Sequence, residues 1–417
     1  MGGFKRTISV LPLLLVFQLI LASVAECRMS IGAGQTMPSP VEFANGKNAL
    51  GIPFRVIDNN MFLNVLVGDS AEAELAFDSG FPMNGVILYD SLLSYRLGLT
   101  FVGEVPLGGG GEDIAKAKIA VGGLVSLPGV TFSDQRVLVM TNSSDYGHWP
   151  GDGIIGGTVL NSCIAEIDYE KSVINLYEKN SFDTSNAGEV IDLSFSQGIP
   201  VVDAVVTQYD GAETPVGLLF DTGADVPFAL YSNAGLEFEP PPDAFECYIS
   251  EGIAGDVYGY WGRVKAIRLG SYVMEDPLVA YPTEGFEIVI ATLGQNGFFG
   301  LVAQSRFTVT FDYPGSRMYV RPNSRFADPF EFNMAGLVLR TTRDGVKKVY
   351  DIIPRSPADA AKLKVGDLIL AVDGKDVTSI GFREFEKLLT RENHQVGLTV
   401  ERAGQRFDVS LKLRRII

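Results

Sequence analysis

Two short motifs place an aspartate, a small hydroxyl residue and a glycine directly after an apolar run. The first is Asp78-Ser79-Gly80, and the second, 143 positions later, is Asp221-Thr222-Gly223. Two carboxylates held close together cannot both ionise at low cost, so one pKa rises, the other falls, and the pair shares a proton. Such a pair can take a proton from water and give one to a leaving amine. We therefore interpret Asp78 and Asp221 as candidate catalytic residues, although either motif alone is an ordinary turn at a strand end.

The residues that follow each aspartate suit a tight and fixed turn. The hydroxyl groups of Ser79 and Thr222 can hydrogen-bond neighbouring backbone groups and hold the turn. Gly80 and Gly223 allow a sharp backbone turn at the carboxylate. We expect these four residues to support the aspartate pair.

Other landmarks around the two motifs also repeat along the chain. Gly153-Ile154-Ile155-Gly156 recurs as Gly297-Phe298-Phe299-Gly300, and Glu166-Ile167-Asp168-Tyr169 recurs as Thr310-Phe311-Asp312-Tyr313, each 144 positions later. Alternating apolar residues before the first aspartate, and a nearly continuous apolar run before the second, predict a strand leading into each motif. Landmarks in one order at nearly one period indicate an internal duplication.

At these residues the chain resembles the pepsin-like and retropepsin-like aspartic peptidases, over residues 52–323. The resemblance implies a mainly β, two-lobed fold, with lobe 1 at 51–185 and lobe 2 at 186–325. It also implies that Asp78 and Asp221 form the catalytic pair and that no metal or cofactor takes part. Polypeptides would be the substrates, and each lobe would carry a flap hairpin.

Candidate flaps and two departures from the family pattern bear on the cleft. The four glycines at 108–111 suit a mobile flap or loop tip, and 247–261 suits either a second flap or an aromatic cluster covering the lobe. The tyrosine of pepsin-like flaps is absent between Leu107 and Val121. Phe81 stands where the family usually has a small residue, and it either narrows the cleft or fills a core gap.

The charge balance changes after Phe332. From Gly336 onward the chain has 16 Lys and Arg against 11 Asp and Glu, a surplus of 5 positive charges. Since the whole chain has a formal net charge of −16, the preceding part carries −21. An asymmetry of this size predicts a separate C-terminal domain, which we place at 333–417.

The C-terminal segment from Ser356 to Gly374 resembles a PDZ domain of the kind found in bacterial protease-associated proteins. The match extends over residues 336–413 and implies a small α+β domain. It also implies that the loop with Gly336, Leu337 and Val338 receives the C-terminus of a polypeptide, which extends the following strand beside a helix at 382–390. An alternative is a module that holds the lobes together or mediates self-association.

The N-terminal residues suit a secretory signal. Lys5 and Arg6 precede an apolar run that ends near the small residues at 23–25. We predict a signal peptide at 1–25, a linker or short pro-segment at 26–50, and export to a periplasmic or extracellular location. The apolar run is too short to favour a membrane span, so no transmembrane segment is expected in the mature chain. Cys27 leaves lipoprotein anchoring as an alternative.

Composition narrows the remaining function classes. The strong negative charge opposes nucleic-acid binding. His148 and His394 are far apart in sequence and lack evident partners for a Ser-His-Asp triad or a two-histidine zinc site, so we interpret both as loop residues. Cys163 and Cys247 are either bridged or free and buried.

These observations predict an exported aspartic endopeptidase in which Asp78 and Asp221 activate a water, with a C-terminal PDZ-like domain that recruits or regulates polypeptides. The alternative is a non-catalytic protein that holds peptides in the same cleft and in the PDZ-like groove.

Overall fold

The computed structural model describes residues 40–417, except 112, 143–145, 147–148 and 234. The predicted signal peptide, most of the predicted linker, Cys27 and His148 therefore lie outside the described residues. The described chain is mainly β, as predicted, with a few short helices. Within the described ranges, no helix has the length and apolar character needed to cross a bilayer.

The first part of the chain forms antiparallel hairpins. Its strands are β1 (Val41–Phe43), β2 (Asn48–Ile57), β3 (Asn60–Val67), β4 (Ala71–Phe77), β5 (Gly85–Leu88), β6 (Phe101–Leu107), β7 (Ala115–Leu127), β8 (Val130–Met140), β9 (Gly153–Ile155), β10 (Ile164–Asp168) and β11 (Val173–Tyr177). Two helices, α1 (Ser91–Arg96) and α2 (Gly157–Leu160), follow β5 and β9.

The second part repeats this order with a few differences. Its strands are β12 (Glu189–Asp192), β13 (Ser194–Ser196), β14 (Ile199–Thr207), β15 (Glu213–Phe220), β16 (Phe228–Leu230), β17 (Phe245–Gly252), β18 (Gly255–Arg263), β19 (Ala266–Leu269), β20 (Tyr272–Glu275), β21 (Leu278–Glu284), β22 (Gly297–Phe299), β23 (Phe307–Asp312) and β24 (Arg317–Pro322). Its helices are α3 (Glu287–Leu293) and α4 (Leu301–Gln304).

The C-terminal part forms its own sheet around its own apolar core. Its strands are β25 (Leu337–Thr341), β26 (Lys347–Ile352), β27 (Leu368–Val372), β28 (Lys375–Asp376), β29 (Gln395–Arg402) and β30 (Gln405–Lys412), and its helices are α5 (Pro357–Ala360) and α6 (Phe382–Leu389). Strand β25 lies at one edge of this sheet and pairs within it only with β26. The helix predicted at 382–390 is present as α6.

The predicted duplication is present in the strand pairing. Strand β9 lies parallel to β4, with Ile155 opposite Phe77, and antiparallel to β5. In the second part, β22 lies parallel to β15, with Phe299 opposite Phe220, and antiparallel to β16. In both halves, the strand that leads into the aspartate motif therefore lies beside the apolar pair of the repeated Gly-apolar-apolar-Gly landmark.

The two halves join through another of the repeated landmarks. Strand β10 pairs with β23 in antiparallel fashion, with Glu166 opposite Thr310. These two residues are equivalent in the 144-residue repeat, so a pseudo-two-fold axis passes between them. One continuous apolar core extends through both halves. The boundary at 185/186 stays a prediction, because the sheet continues across the junction.

Several local predictions can be compared directly with the fold. Strands β2 and β3 form a hairpin across residues 58–60, with Asp58 and Asn59 at positive φ in its turn. Cys163 and Cys247 are free and buried, so the bridged alternative is wrong. Phe81 is only 9% exposed and packs in an apolar cluster beneath β6 and β7, so it occupies a core position.

Candidate active site

The two motifs meet through a reciprocal exchange of hydrogen bonds. The Ser79 N–H donates to Thr222 Oγ1 at 2.8 Å, and the Thr222 N–H donates to Ser79 Oγ at 2.9 Å. Each hydroxyl then donates to a carbonyl of the other motif's strand: Ser79 to Phe220 at 2.8 Å, and Thr222 to Phe77 at 2.8 Å. Both hydroxyl residues are buried. This exchange fixes one motif against the other, because buried polar groups are costly to leave unpaired.

The exchange brings Asp78 and Asp221 together. The Gly80 N–H donates to Asp78 Oδ1 at 2.7 Å and to Asp221 Oδ1 at 3.1 Å, so one donor faces both carboxylates. The Gly223 N–H donates to Asp221 Oδ1 at 2.8 Å. The structure therefore places all six predicted residues of the two motifs in one site.

The glycines are required here for space. A Cβ on Gly80 would lie 2.8 Å from Asp221 Oδ2, and a Cβ on Gly223 would lie 2.5 Å from Asp78 Cγ. Neither glycine is at positive φ. The predicted turns are present, and the further reason for glycine is that each one makes room for the carboxylate of the opposite motif.

The electrostatics of the pair favour a shared proton. Burial raises the pKa of Asp78 well above its ordinary value, and the charge of Asp221 raises it further. Burial also raises the pKa of Asp221, against the hydrogen bonds from Gly223 and Gly80 that stabilise its charge. The pair titrates as a unit in which Asp78 holds its proton more tightly. Such a pair presents one acid and one base side by side.

Two hairpins meet at their tips beside this site. One is β6–β7, with the glycines at 108–111 in its loop, and the other is β17–β18. The Ala254 N–H donates to the Gly110 carbonyl at 2.8 Å, and the Asp113 N–H donates to the Ala254 carbonyl at 3.2 Å. A Cβ on Gly111 would lie 2.0 Å from the Ala254 carbonyl carbon. We call these hairpins the first flap and the second flap.

Aromatic side chains connect the flaps to the aspartate pair. The Tyr146 hydroxyl donates to the Ile253 carbonyl at the tip of the second flap, at 2.7 Å. The Tyr146 ring stacks on Tyr89 with centroids 4.6 Å apart. Burial and the charge of Asp78 raise the pKa of Tyr89. A tyrosine therefore reaches a flap tip, although it comes from the segment between β8 and β9 and was not identified from the sequence.

The predicted ligand loop of the C-terminal domain is present, and part of it is already hydrogen-bonded. Gly336 has a φ of +73°, and its N–H donates to the Asn333 carbonyl at 2.9 Å. Leu337 is buried in the domain core, whereas Val338 packs against the core of the two lobes. At the other end of β25, the Thr341 N–H donates to Asp58 Oδ2 of the β2–β3 turn at 2.6 Å.

Four positively charged residues of the C-terminal domain meet aspartates of the two lobes. Their ion pairs are Arg340 to Asp225 at 2.9 Å, Arg343 to Asp152 at 2.5 Å, Lys347 to Asp58 at 3.7 Å and Arg415 to Asp276 at 3.2 Å. The charge asymmetry of the sequence is thus matched by complementary charges at this interface.

The C-terminal domain also contacts the second flap directly. The Tyr248 N–H of β17 donates to Asp351 Oδ2 at 3.0 Å, and its ring lies 4.8 Å from that of Tyr350. The Tyr350 hydroxyl donates to Asp256 of β18 at 3.3 Å. Segment 247–261 is therefore a flap hairpin whose tyrosines also serve as a docking surface.

Comparison with protein families identifies the C-terminal part. Residues 348–402 match the PDZ domain family. The C-terminal domain is a PDZ domain. The match covers β26 to β29 and confirms the prediction made from the segment at 356–374.

Two solved structures are similar to the chain. The aspartic proteinase from Irpex lacteus has 12% sequence identity and a TM-score of 0.42, over 67% of this chain and 99% of that one. The photosystem II D1 C-terminal processing protease has 21% identity and a TM-score of 0.20, over 22% of this chain and 26% of that one. The comparison with curated proteins finds no match.

Proposed function

We propose that the chain is an aspartic endopeptidase in which Asp78 and Asp221 activate the attacking water. The observation that carries the proposal is the exchange between Ser79 and Thr222, together with the single Gly80 N–H that faces both carboxylates. Two adjacent carboxyl groups that share a proton can supply both the base and the acid for hydrolysis of a peptide bond without a metal.

The proposed reaction follows from the two protonation states. Ionised Asp221 takes a proton from the water as the water oxygen bonds to the peptide carbonyl carbon, while Asp78 gives its proton to the carbonyl oxygen. The tetrahedral product then collapses: Asp221 gives its proton to the leaving nitrogen as the C–N bond breaks, and a hydroxyl of the intermediate returns a proton to Asp78 as the carbonyl re-forms. No covalent bond to the protein forms at any step. The flaps exclude bulk water from the pair, which strengthens its electrostatic effect.

Hydrolysis of a mixed peptide library from acid to neutral pH tests the proposal. We expect wild-type mature chain to cleave the library and both Asp78→Asn and Asp221→Asn to lose at least ~10³-fold in kcat, because each removes a proton-transfer group. Asp203→Asn, which changes an exposed carboxylate on β14, is the matched control and should retain activity. Cleavage that survives both active-site substitutions would rule out the paired mechanism.

The alternative is a protein that binds peptides without cutting them. The hydrogen bonds that join the two flap tips favour this binding function, because a closed cleft also suits retention of a peptide. Library peptides that are retained by wild type, by Asp78→Asn and by Asp221→Asn alike, with no cleavage at any pH, would favour this second function.

Two further parts of the proposal concern recruitment and location. The PDZ domain recruits or regulates polypeptides through their C-termini at Gly336, Leu337 and Val338, a role to be tested by binding of peptides with free and amidated C-termini.

Residues 1–25 direct export to a periplasmic or extracellular site. N-terminal sequencing of the exported protein should begin after residue 25; a lipid-modified Cys27 at the N-terminus would instead support the anchored alternative.

A further inference from the structure

Asp225 lies four residues after Asp221 and is held by a residue of the PDZ domain. Arg340 Nη1 lies 2.9 Å from Asp225 Oδ2, and the side chains of Arg340 and Asp225 are only 16% and 11% exposed. This pair joins two parts of the chain that are 115 positions apart. An ion pair buried to this degree is costly to break, because removal of one partner leaves the other charge uncompensated.

The same arginine also contacts the second flap. Arg340 Nη2 donates to the Tyr248 hydroxyl at 2.6 Å, and the guanidinium lies 5.1 Å from the centre of the Tyr248 ring. Tyr248 is fully buried in β17 and is further held by Asp351 of the PDZ domain. Arg340 therefore connects the loop that follows the second aspartate motif with the strand that leads to the flap tip.

The electrostatic balance at Asp225 depends on this arginine. Burial raises the pKa of Asp225, whereas Arg340 and a hydrogen bond from Ser250 of β17 lower it. The other charged group that acts on Asp225 is Asp58 of the β2–β3 turn, which raises the pKa. Without Arg340, Asp225 would face a negative charge and a neutral tyrosine in a buried position.

We propose that Arg340 is a positioning residue of the active site: by holding Asp225 and Tyr248, it keeps the loop after Asp221 and the second flap in the geometry that the aspartate pair needs. The inference rests on the proposed peptidase function. It makes the PDZ domain a part of the cleft, in addition to any role in recruiting polypeptides.

The test compares the full-length variant Arg340→Met with wild type on a peptide that wild type cleaves. Methionine retains an apolar stem of similar length but lacks the charge. We expect kcat/KM to fall by about tenfold or more at neutral pH, where Asp225 is left charged and unpaired. The loss should shrink as the pH falls through the raised pKa of Asp225, because protonation removes the uncompensated charge.

Two controls separate positioning from domain docking. Arg343→Met removes the ion pair to Asp152 of the first lobe at the same interface, and the described ion pairs of Arg343 include none to the second lobe. This variant should change kcat/KM by less than about threefold at every pH. The double variant Arg340→Met with Asp225→Asn replaces the pair by two neutral groups. It should recover activity relative to Arg340→Met and lose the pH-dependent deficit, because coupled residues are not additive.

Three results would overturn the inference. These are wild-type kcat/KM in Arg340→Met, an equal fractional loss in Arg340→Met and Arg343→Met at all pH values, or additive losses in the double variant. If Arg340→Met fails to fold, the double variant still decides, because a neutral pair should fold and show a wild-type pH profile. A wild-type chain that cleaves no peptide would contradict the proposed function itself, and this inference with it.

Discussion

At the residue scale, the hydroxyl groups of Ser79 and Thr222 are the contacts on which the aspartate pair depends. Each accepts one buried N–H and donates to one buried carbonyl across the pseudo-two-fold axis. The motifs alone predict only local turns for these hydroxyl groups, because side-chain hydrogen bonds to neighbouring backbone are the usual role of such residues. The long-range exchange becomes predictable only when the two motifs are assumed to face each other.

Ser79→Ala should therefore destabilise the protein strongly. The substitution leaves the Thr222 N–H and the Phe220 carbonyl without their partner, at a cost of about 1–3 kcal/mol for each buried group, and so about 2–6 kcal/mol in total. Ser79→Thr keeps the hydroxyl and is the control, with an expected change below about 1 kcal/mol. Urea unfolding of both variants measures the difference. Equal stability in the two variants would show that the exchange contributes little.

The aspartate pair should also leave a signature in the pH dependence of stability. The pKa of Asp78 is raised in the folded state. Its contribution to the free energy of unfolding is therefore fully present below the unfolded-state pKa and is lost as the pH rises through the folded-state pKa. Asp78→Asn should thus be more stable than wild type at neutral pH, by ~1.4 kcal/mol for each unit of pKa rise, and close to wild type in acid. Urea midpoints across this pH range test the expectation, and two parallel curves would contradict it.

Other residues of the site had weaker sequence signals. Asp225 stands two positions after Gly223, and its carboxylate could have been marked as a candidate from that position alone. Arg340 and Tyr146 could not, because each reaches the site through contacts between distant segments that follow no local pattern. Phe81 had two interpretations, and its burial in the cluster under the first flap favours the core position.

At the scale of elements, strands and helices with a clear period were predicted well. The strands that lead into both motifs lie where the apolar pattern predicts them, and the helix expected at 382–390 is present as α6. The flaps were identified as glycine-rich and aromatic segments, but the contact between their tips depends on the closure of both lobes. Short strands such as β12 and β13 have no pattern of their own and form by pairing with longer neighbours.

The contact between the flap tips leads to a prediction about Gly111. Its φ is +113°, and a Cβ there would overlap the backbone of Ala254. Gly111→Ala should force the tips apart and lower kcat/KM by about tenfold or more, because flap closure completes the site. The unfolding free energy should change by about 1–3 kcal/mol from local strain.

Gly122→Ala is the matched control for that variant. Gly122 lies in the first flap hairpin at a φ of +76°, but a Cβ there meets nothing within 4 Å. It therefore carries comparable backbone strain without a contact to the second flap. Similar kinetics in the two alanine variants would show that the meeting of the tips is not required for turnover.

At the scale of the whole molecule, the composition change predicted a separate C-terminal domain, and the match at 348–402 confirms its family. Its docking could not be predicted, since a charge surplus indicates attraction but does not specify a contact. The interface combines ion pairs to both lobes with the contact between the tilted rings of Tyr248 in the second flap and Tyr350 in the PDZ domain.

This docking should be visible in hydrogen exchange. Tyr350→Ala removes the ring beside Tyr248 and the hydrogen bond to Asp256, and so should raise amide exchange in β17 and β18 by about tenfold, because local opening becomes easier. Exchange in β14, which lies away from this interface, should not change. Tyr209→Ala, at an exposed position, serves as the control. Unchanged exchange in β17 would mean that the PDZ domain does not hold the flap.

The pseudo-two-fold axis has a further consequence, because the two halves are not chemically equal. The counterpart of Asp225 in the first half, 143 positions earlier, is Pro82. One side of the axis therefore carries a charged group tied to a third domain, and the other side carries an imino acid ring. A polypeptide chain has a direction, from its amino to its carboxyl end, and a perfectly symmetric cleft would bind it equally well in both orientations. The difference between aspartate on one side and proline on the other breaks that equivalence and gives the cleft a physical basis for binding a polypeptide in one orientation.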